Sequence, residues 1–365
     1  MKIKFVAGNL IILLFLSLIL ISLILPLVKA PTNPTEIFEE SRTISIFTDT
    51  SLDENFTIVI LPDTQGYSEI YPWLFDSQTQ WIVDNAEALN IVFVTHLGDI
   101  VNDAENITQW ENANGSLSKL DGHVPWGVLP GNHDRGFEFF VNYNTYFGYE
   151  RFSDNNWYGG TYMVGSNANS YQLFSAGGDN YLIFHIQHYP SHDILLWASN
   201  VIDEYPDKRV IVSTHEYIYG PYNPDHRSKN GERIWETLIK PHADKIFLVL
   251  CGHASTQSTI IDHVNGQVVY QLLADFRNSS TIESGWLRIL KFCPGQEKIY
   301  VKTYSPYLNE YKIDLPNDFI LEYKMTDISA LVPKFLLILI LILLVLATSL
   351  ILVRKRLVRT RTSVS

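Results

Sequence analysis

Four short polar clusters carry the residue types that bind metal ions and move protons: Leu61-Pro62-Asp63-Thr64-Gln65, Gly98-Asp99-Ile100-Val101-Asn102-Asp103, Gly131-Asn132-His133-Asp134 and Cys251-Gly252-His253-Ala254-Ser255. Carboxylates, amides and imidazoles brought to one edge bind hard or borderline divalent metals, and one bridging carboxylate can hold two ions about 3.5–4 Å apart. Asp99 is the natural bridge. Gly-Asp and Gly-Asn pairs are also ordinary turn residues. Four such clusters, each closing an apolar run, point instead to one assembled site.

The apolar runs supply the elements that would position them. Thr57 to Leu61, Ile91 to Val94, Pro125 to Leu129 and Lys245 to Leu250 each precede one cluster and read as short buried strands. A parallel sheet covered on both faces has this composition, and its ligands gather where the strands end. Helical patterns near Ser77 to Leu89, Ile107 to Leu120, Ile194 to Tyr205 and Gly231 to Ile239 alternate with the strands, as crossover units require. After His253 the pattern changes to successive strands at Thr259 to Ile261, Gln267 to Leu273, Trp286 to Phe292 and Lys298 to Tyr304. These predict a second sheet packed on the first, within an α/β domain large enough for a sizeable core.

With those residues in view, the chain resembles the calcineurin-like metallophosphoesterases, in the branch whose first block reads Asp-Thr-Gln. Stretches outside the four clusters share the likeness: Gln80 to Asn85, Thr214-His215-Glu216-Tyr217, Leu272-Leu273-Ala274-Asp275, Gly285-Trp286-Leu287-Arg288 and Thr303-Tyr304-Ser305-Pro306. The resemblance implies two packed β-sheets flanked by helices, a four-layer sandwich over residues 57–325. It implies two divalent ions drawn from Mn, Fe, Zn or Mg. The first would be held by Asp63, Gln65 and the bridging Asp99, with Ser255 as a further candidate; the second by Asp99, Asn132, His215 and His253. His133 would protonate the leaving oxygen of a phosphate ester, with Asp134 beside it as an orienting partner, while a metal-activated hydroxide attacks phosphorus.

Two departures from the superfamily pattern bear on the first ion. Gln65 stands in place of one histidine and Ser255 in place of another. An amide oxygen suits Mg or Mn better than Zn, and a hydroxyl is a poor ligand. The sequence therefore leaves open a complete two-metal enzyme, a one-metal enzyme, and a metal-stabilised binding protein without turnover. His185 or His188 could replace the missing imidazole, although a histidine in a strand is more often packed and hydrogen-bonded. His96 could support the ligands from behind, Arg135 could clamp a phosphate, and Asp103 could orient the loop after Asp99. Each has an equally simple structural role.

The two ends of the chain suggest a location. Lys2 and Lys4 precede an apolar stretch closed by Val28-Lys29-Ala30, so residues 1–30 read as a cleaved signal peptide or an N-terminal anchor, with 31–56 as a linker. Residues 335–353 are nineteen uncharged positions followed by the basic tail 354–365 with Arg354, Lys355, Arg356, Arg359 and Arg361. That length spans a bilayer, and the basic cluster marks the cytoplasmic side. The expectation is a single-pass cell-membrane protein with its body outside. Residues 31–330 hold 18 Lys and Arg against 39 Asp and Glu, a net charge of −21, which argues against nucleic acid as a partner. Cys251 and Cys293 read as two buried thiols, with pairing open if their strands are neighbours. Sequons at Asn55, Asn106, Asn114 and Asn278 would permit glycosylation of an exported chain.

Overall fold

The computed structural model describes residues 55–220, 223, 225–277 and 284–324. Residues 1–30, most of the 31–56 linker, the 335–353 run, the basic tail and the Asn278 sequon lie outside them. Among the described residues no helix is long and apolar enough to cross a membrane.

Among the described residues fourteen strands form two seven-stranded sheets. They are β1 (Phe56–Leu61), β2 (Ile91–His96), β3 (Trp126–Gly127), β4 (Tyr158–Thr161), β5 (Asn169–Ala176), β6 (Asp179–Ile186), β7 (Arg209–Thr214), β8 (Ile246–Cys251), β9 (Gln257–Val264), β10 (Gln267–Ala274), β11 (Leu287–Cys293), β12 (Lys298–Ser305), β13 (Glu310–Lys312) and β14 (Asp318–Glu322). The first sheet runs β13-β12-β11-β1-β2-β3, with β14 beside β12; the second runs β4-β5-β6-β7-β8-β10-β9. Both mix parallel and antiparallel pairs: β1-β2-β3 and β6-β7-β8-β10 are parallel.

Alternation along the strands builds the layers. In β1, Phe56, Ile58 and Ile60 face the core between the sheets, where they meet Tyr181, Ile183, Leu248 and Leu250 of the second sheet. Val59 and Leu61 face outward, onto helices α1 (Pro72–Asn85), α2 (Ile107–Leu117) and α3 (Val141–Phe147). On the far side Leu182, Phe184 and Val249 pack against α4 (His192–Glu204) and α5 (Lys229–Ile234). The expected layering of two packed sheets flanked by helices is present.

Local signals explain the helix starts. Pro72 sits in the first turn of α1, where its missing N–H costs nothing, so this helix begins five residues before the Ser77 start read from periodicity. Asn106, Ser191 and Ser228 cap α2, α4 and α5 through their side-chain oxygens.

The strands after His253 do not form a sheet of their own. β9 and β10 extend the second sheet through β8, whereas β11 pairs antiparallel with β1, Leu290 opposite Ile58. That pairing puts Leu290 and Phe292 on the inter-sheet face already occupied by Ile58 and Ile60. The chain thus crosses between sheets after β10. Cys251 and Cys293 consequently lie in different sheets, and both are free and buried.

Candidate metal centre

The clusters meet because parallel strands leave their sheets at one end. Asp63, Asp99 and the Gly131–Asp134 loop follow β1, β2 and β3 of the first sheet, while His215 and His253 follow β7 and β8 of the second. The site therefore straddles the upper edge of both sheets. Asp63, Asp99 and His215 have side chains fully removed from solvent.

Close approach requires glycine beside two of the carboxylates. A Cβ on Gly131 would collide with the Asp99 carboxylate and backbone nitrogen, and one on Gly252 with Asp63 Oδ1. Asp99 and His253 themselves sit at φ +51° and +72°, the left-handed region that L residues rarely adopt. Two left-handed, non-glycine residues thus fall within the one site.

Around His215 the acceptors converge. Its Nδ1 donates to the Leu97 carbonyl at 2.8 Å, which leaves Nε2 facing Asn132 Oδ1 at 3.0 Å, Asp99 Oδ2 at 3.2 Å and His253 Nδ1 at 3.2 Å. Ligand atoms of Asp99, His215 and His253 all lie within 4.8 Å of one another. Four acceptor-bearing groups aimed at one point are a donor set for a cation, and the carbonyl behind His215 is the kind of partner that orients a metal-bound imidazole. The second-ion ligands expected from the sequence, Asp99, Asn132, His215 and His253, are thus together and fit a borderline divalent metal. Burial opposes charge on His215, but Asp99 and Asp63 overcome it and lift the imidazole to about 10. Burial, then the His215 charge, push His253 down to about 4. On Asp99 burial is likewise outweighed, by His215 and Arg277, and the carboxyl is held below its usual range.

The first-ion residues are also brought together, but around a side chain instead of an open space. Arg277, at the end of β10, places Nε 3.1 Å from Asp63 Oδ2, Nη1 3.5 Å from Asp99 Oδ2 and Nη2 2.9 Å from Asp275 Oδ2. Nη2 also donates to the His253 carbonyl. In the orientation that satisfies both ends of its amide, Gln65 accepts from Arg277 Nε at 3.2 Å and from Nη1, and its amide nitrogen lies 3.1 Å from both Asn102 Oδ1 and His133 Nδ1. Ser255 is exposed. These residues do not fit a metal ion while the guanidinium lies among them.

His133 stands at the rim. Its backbone N donates to Asp99 Oδ1 at 2.9 Å, and its Nδ1 lies 2.8 Å from the Asn102 carbonyl. Asp134 does not touch that ring through any hydrogen bond in the structure; its Oδ1 accepts from Val101 N at 3.0 Å and its Oδ2 from Gly131 N at 2.7 Å. Asn102 is the orienting partner of His133, and Asp134 ties the β2 and β3 loops together. Burial, then the Asp99 charge, raise Asp134 to about 7.

The remaining polar residues divide. His96 accepts from Gly98 N at 3.1 Å and meets Thr64 Oγ1 at 2.9 Å, bracing both aspartate loops. His185 is buried between the sheets against Thr95 and Gln172 and takes no part in the site. The His188 ring lies edge-on 5.6 Å from His215 and tilted 5.7 Å from His253 and pairs with Glu216 at 3.2 Å, beside the second-ion ligands and not the first. Arg135 lies over the exposed Phe139 ring, and Asp103 accepts from Glu105 N. Sequence reasoning passed over Arg277 and, while counting Asp275 in a stretch that shares the family likeness, gave it no role in the site. Both follow the apolar run of β10 directly, so the strand-end rule that found the other clusters would have flagged Asp275-Phe276-Arg277.

Comparison with known proteins places these features. The calcineurin-like phosphoesterase family profile matches residues 56–256. An uncharacterized protein of Bacillus subtilis (strain 168), YvnB, is 37% identical over 265 residues, covering 70% of this chain and 20% of that protein. The chain thus spans about a fifth of the length of the curated relative it matches. Among solved structures, a purple acid phosphatase from yellow lupin (Lupinus luteus) seeds aligns with a TM-score of 0.48 at 13% identity, over 74% of this chain and 54% of that one. GAP50, the anchor in the inner membrane complex of Plasmodium, aligns with a TM-score of 0.46 at 13% identity, over 76% and 93%.

Proposed function

Because the chain belongs to the calcineurin-like phosphoesterase family, we propose that it is a metal-dependent phosphoester hydrolase. The observation that carries this reading is the convergence of Asp99, Asn132, His215 and His253 on one point. A divalent ion bound there neutralises phosphate charge and lowers the pKa of an attacking water. The chain's own residues supply the rest. Asn102 fixes the His133 ring through Nδ1 and leaves Nε2 to give a proton to the departing oxygen. The backbone N of His133 on Asp99 couples that ring to the ion's ligand. His96 and Asp134 hold the loops at fixed separation, and Arg277 adds positive charge beside the ligands.

Hydrolysis of a chromogenic phosphomonoester and phosphodiester by the chelator-stripped chain, with Mn, Mg, Zn or Fe added back, tests the reading. Metal-restored turnover is expected; absence of turnover under every ion, with metal bound, would favour a metal-stabilised binding protein. The guanidinium among the first-ion residues is the observation on that side.

The setting belongs to the same proposal. The uncharged run 335–353, the basic tail behind it, the N-terminal apolar segment and the net charge of −21 over residues 31–330 support a membrane-anchored ectoenzyme with its catalytic body outside the cell. The sequons would then be open to glycosylation.

A further inference from the structure

Resting on the phosphoesterase reading, we propose that Arg277 replaces the first metal ion, so that the centre holds a single divalent ion on Asp99, Asn132, His215 and His253. The guanidinium then faces the substrate phosphate across the space between Asp63 and Asp99.

Position argues for this first. Arg277 contacts Asp63 and Asp99, the two carboxylates a first ion would need, and takes up the Gln65 oxygen that would be its third ligand. A guanidinium cannot lose its proton to become a ligand, so it and a metal ion compete for the same acceptors. Asp275 fixes the fork from behind through Nε and Nη2, which makes the placement a supported one.

Charge argues for it independently. Asp63, Asp99 and Asp275 each have side chains with no exposure and surround Arg277, whose side chain keeps 18%. One divalent ion and one guanidinium neutralise three carboxylates. A second divalent ion beside the guanidinium would leave two uncompensated positive charges in a buried site, a costly arrangement. The exposed fraction of Arg277 leaves N–H groups for a phosphate oxygen, which planar, forked donors bind well.

Chemistry agrees as well. The superfamily histidines of the first ion are here Gln65 and Ser255, and Ser255 points to solvent without closing the site. The two positions without an imidazole and the arginine all bear on the same ion.

Metal content of the full chain decides the matter. The protein is stripped with chelator, loaded with Mn²⁺ alone, desalted and analysed for metal, with paramagnetic resonance reporting whether ions are coupled at the about 3.5–4 Å spacing of a two-metal site. One uncoupled ion per chain is expected, lost in His253→Ala and retained in Asp63→Asn. Arg277→Gln should raise the content to about two coupled ions by freeing Asp63, Asp99 and Gln65. A thermal melt of each variant establishes that it is folded, and Arg277→Lys, which keeps the charge, should stay at one. Two coupled ions in the unmodified chain would overturn this inference and leave the phosphoesterase reading standing. An ion that survives His253→Ala but not Asp63→Asn would overturn it too. No bound ion under any loading would overturn both.

Discussion

His133 Nδ1 lies 2.8 Å from the carbonyl oxygen of Asn102, and because that oxygen can only accept, the hydrogen bond requires a proton on Nδ1. Proton exchange is thereby confined to Nε2, on the opposite edge of the ring. The same residue is tied to Asp99 through its backbone. On the proposed mechanism, replacing the ring removes a proton donor and leaves the metal ligands in place. His133→Ala should lower kcat by roughly 100- to 10,000-fold, the range for a positioned general acid. Metal content should be unchanged. Turnover equal to that of the unmodified chain would exclude His133 from proton transfer.

Asp134 has a different task, visible in the pair of backbone N–H groups its carboxylate satisfies, Val101 and Gly131. Asp134→Ala would strand two buried donors at roughly 1–3 kcal/mol each. Urea unfolding should show a loss of at least about 2 kcal/mol, against a small effect for the half-exposed His133→Ala. Equal stabilities for the two variants would mean that water or a shifted side chain takes over the donors.

Much of this was legible in the chain itself. β1, β2 and β8 lie within two residues of the apolar runs that forecast them, because strands buried on both faces have few polar interruptions. The β4–β5 hairpin was not read: Gly159 and Gly160 and the polar residues of β5 break the alternation, and the close packing of Tyr171 on Gly159 is a tertiary fact. The destination of β11 was equally hidden. Its hydrophobic pattern suits either sheet, and only pairing with β1 decides it. In the site, ligand types could be read from strand ends, but the sequence does not say that Arg277 folds back among them. Its partners Asp63 and Asp99 lie more than 170 residues earlier, and the hydrogen-bonded pair Arg277–Asp99 is separated by 178 positions.

Acid sensitivity should trace in part to His185, which is sealed between Thr95 and Gln172 and driven by burial from 6.5 down to about 3. In the unfolded chain this imidazole takes up a proton below about pH 6.5, whereas the folded protein refuses it until about pH 3. The unfolded state thus binds more protons in that window, and stability falls as pH is lowered through it, by up to about 1.4 kcal/mol per pH unit for one group. His185→Gln should flatten the dependence of unfolding free energy on pH between 6 and 5 by nearly one proton equivalent. An unchanged slope would assign the acid lability to other groups, His96 first among them, since burial depresses it in the same way.

Gly131 offers a test of the centre from outside its ligand set. The space a side chain would fill is held by Asp99, whose Oδ1 and backbone nitrogen would both collide with an added Cβ. Gly131→Ala must push either the β3 loop or Asp99 aside, and Asp99 has little slack: Oδ1 is held by His133 N, and Oδ2 is flanked by His215 Nε2 at 3.2 Å and Arg277 Nη1 at 3.5 Å. Displacement of a ligand or its orienting partner typically costs 10- to 100-fold in metal affinity. Calorimetric titration with Mn²⁺ should show that loss in Gly131→Ala, and none in Gly178→Ala, where an added Cβ meets nothing within 4 Å. Gly178 sits at φ +83°, so its variant also reports how much of any effect is backbone strain alone. Equal affinity in both variants would show that the Asp99 carboxylate is free to move, and that the ligand geometry described above is not the one that binds the ion.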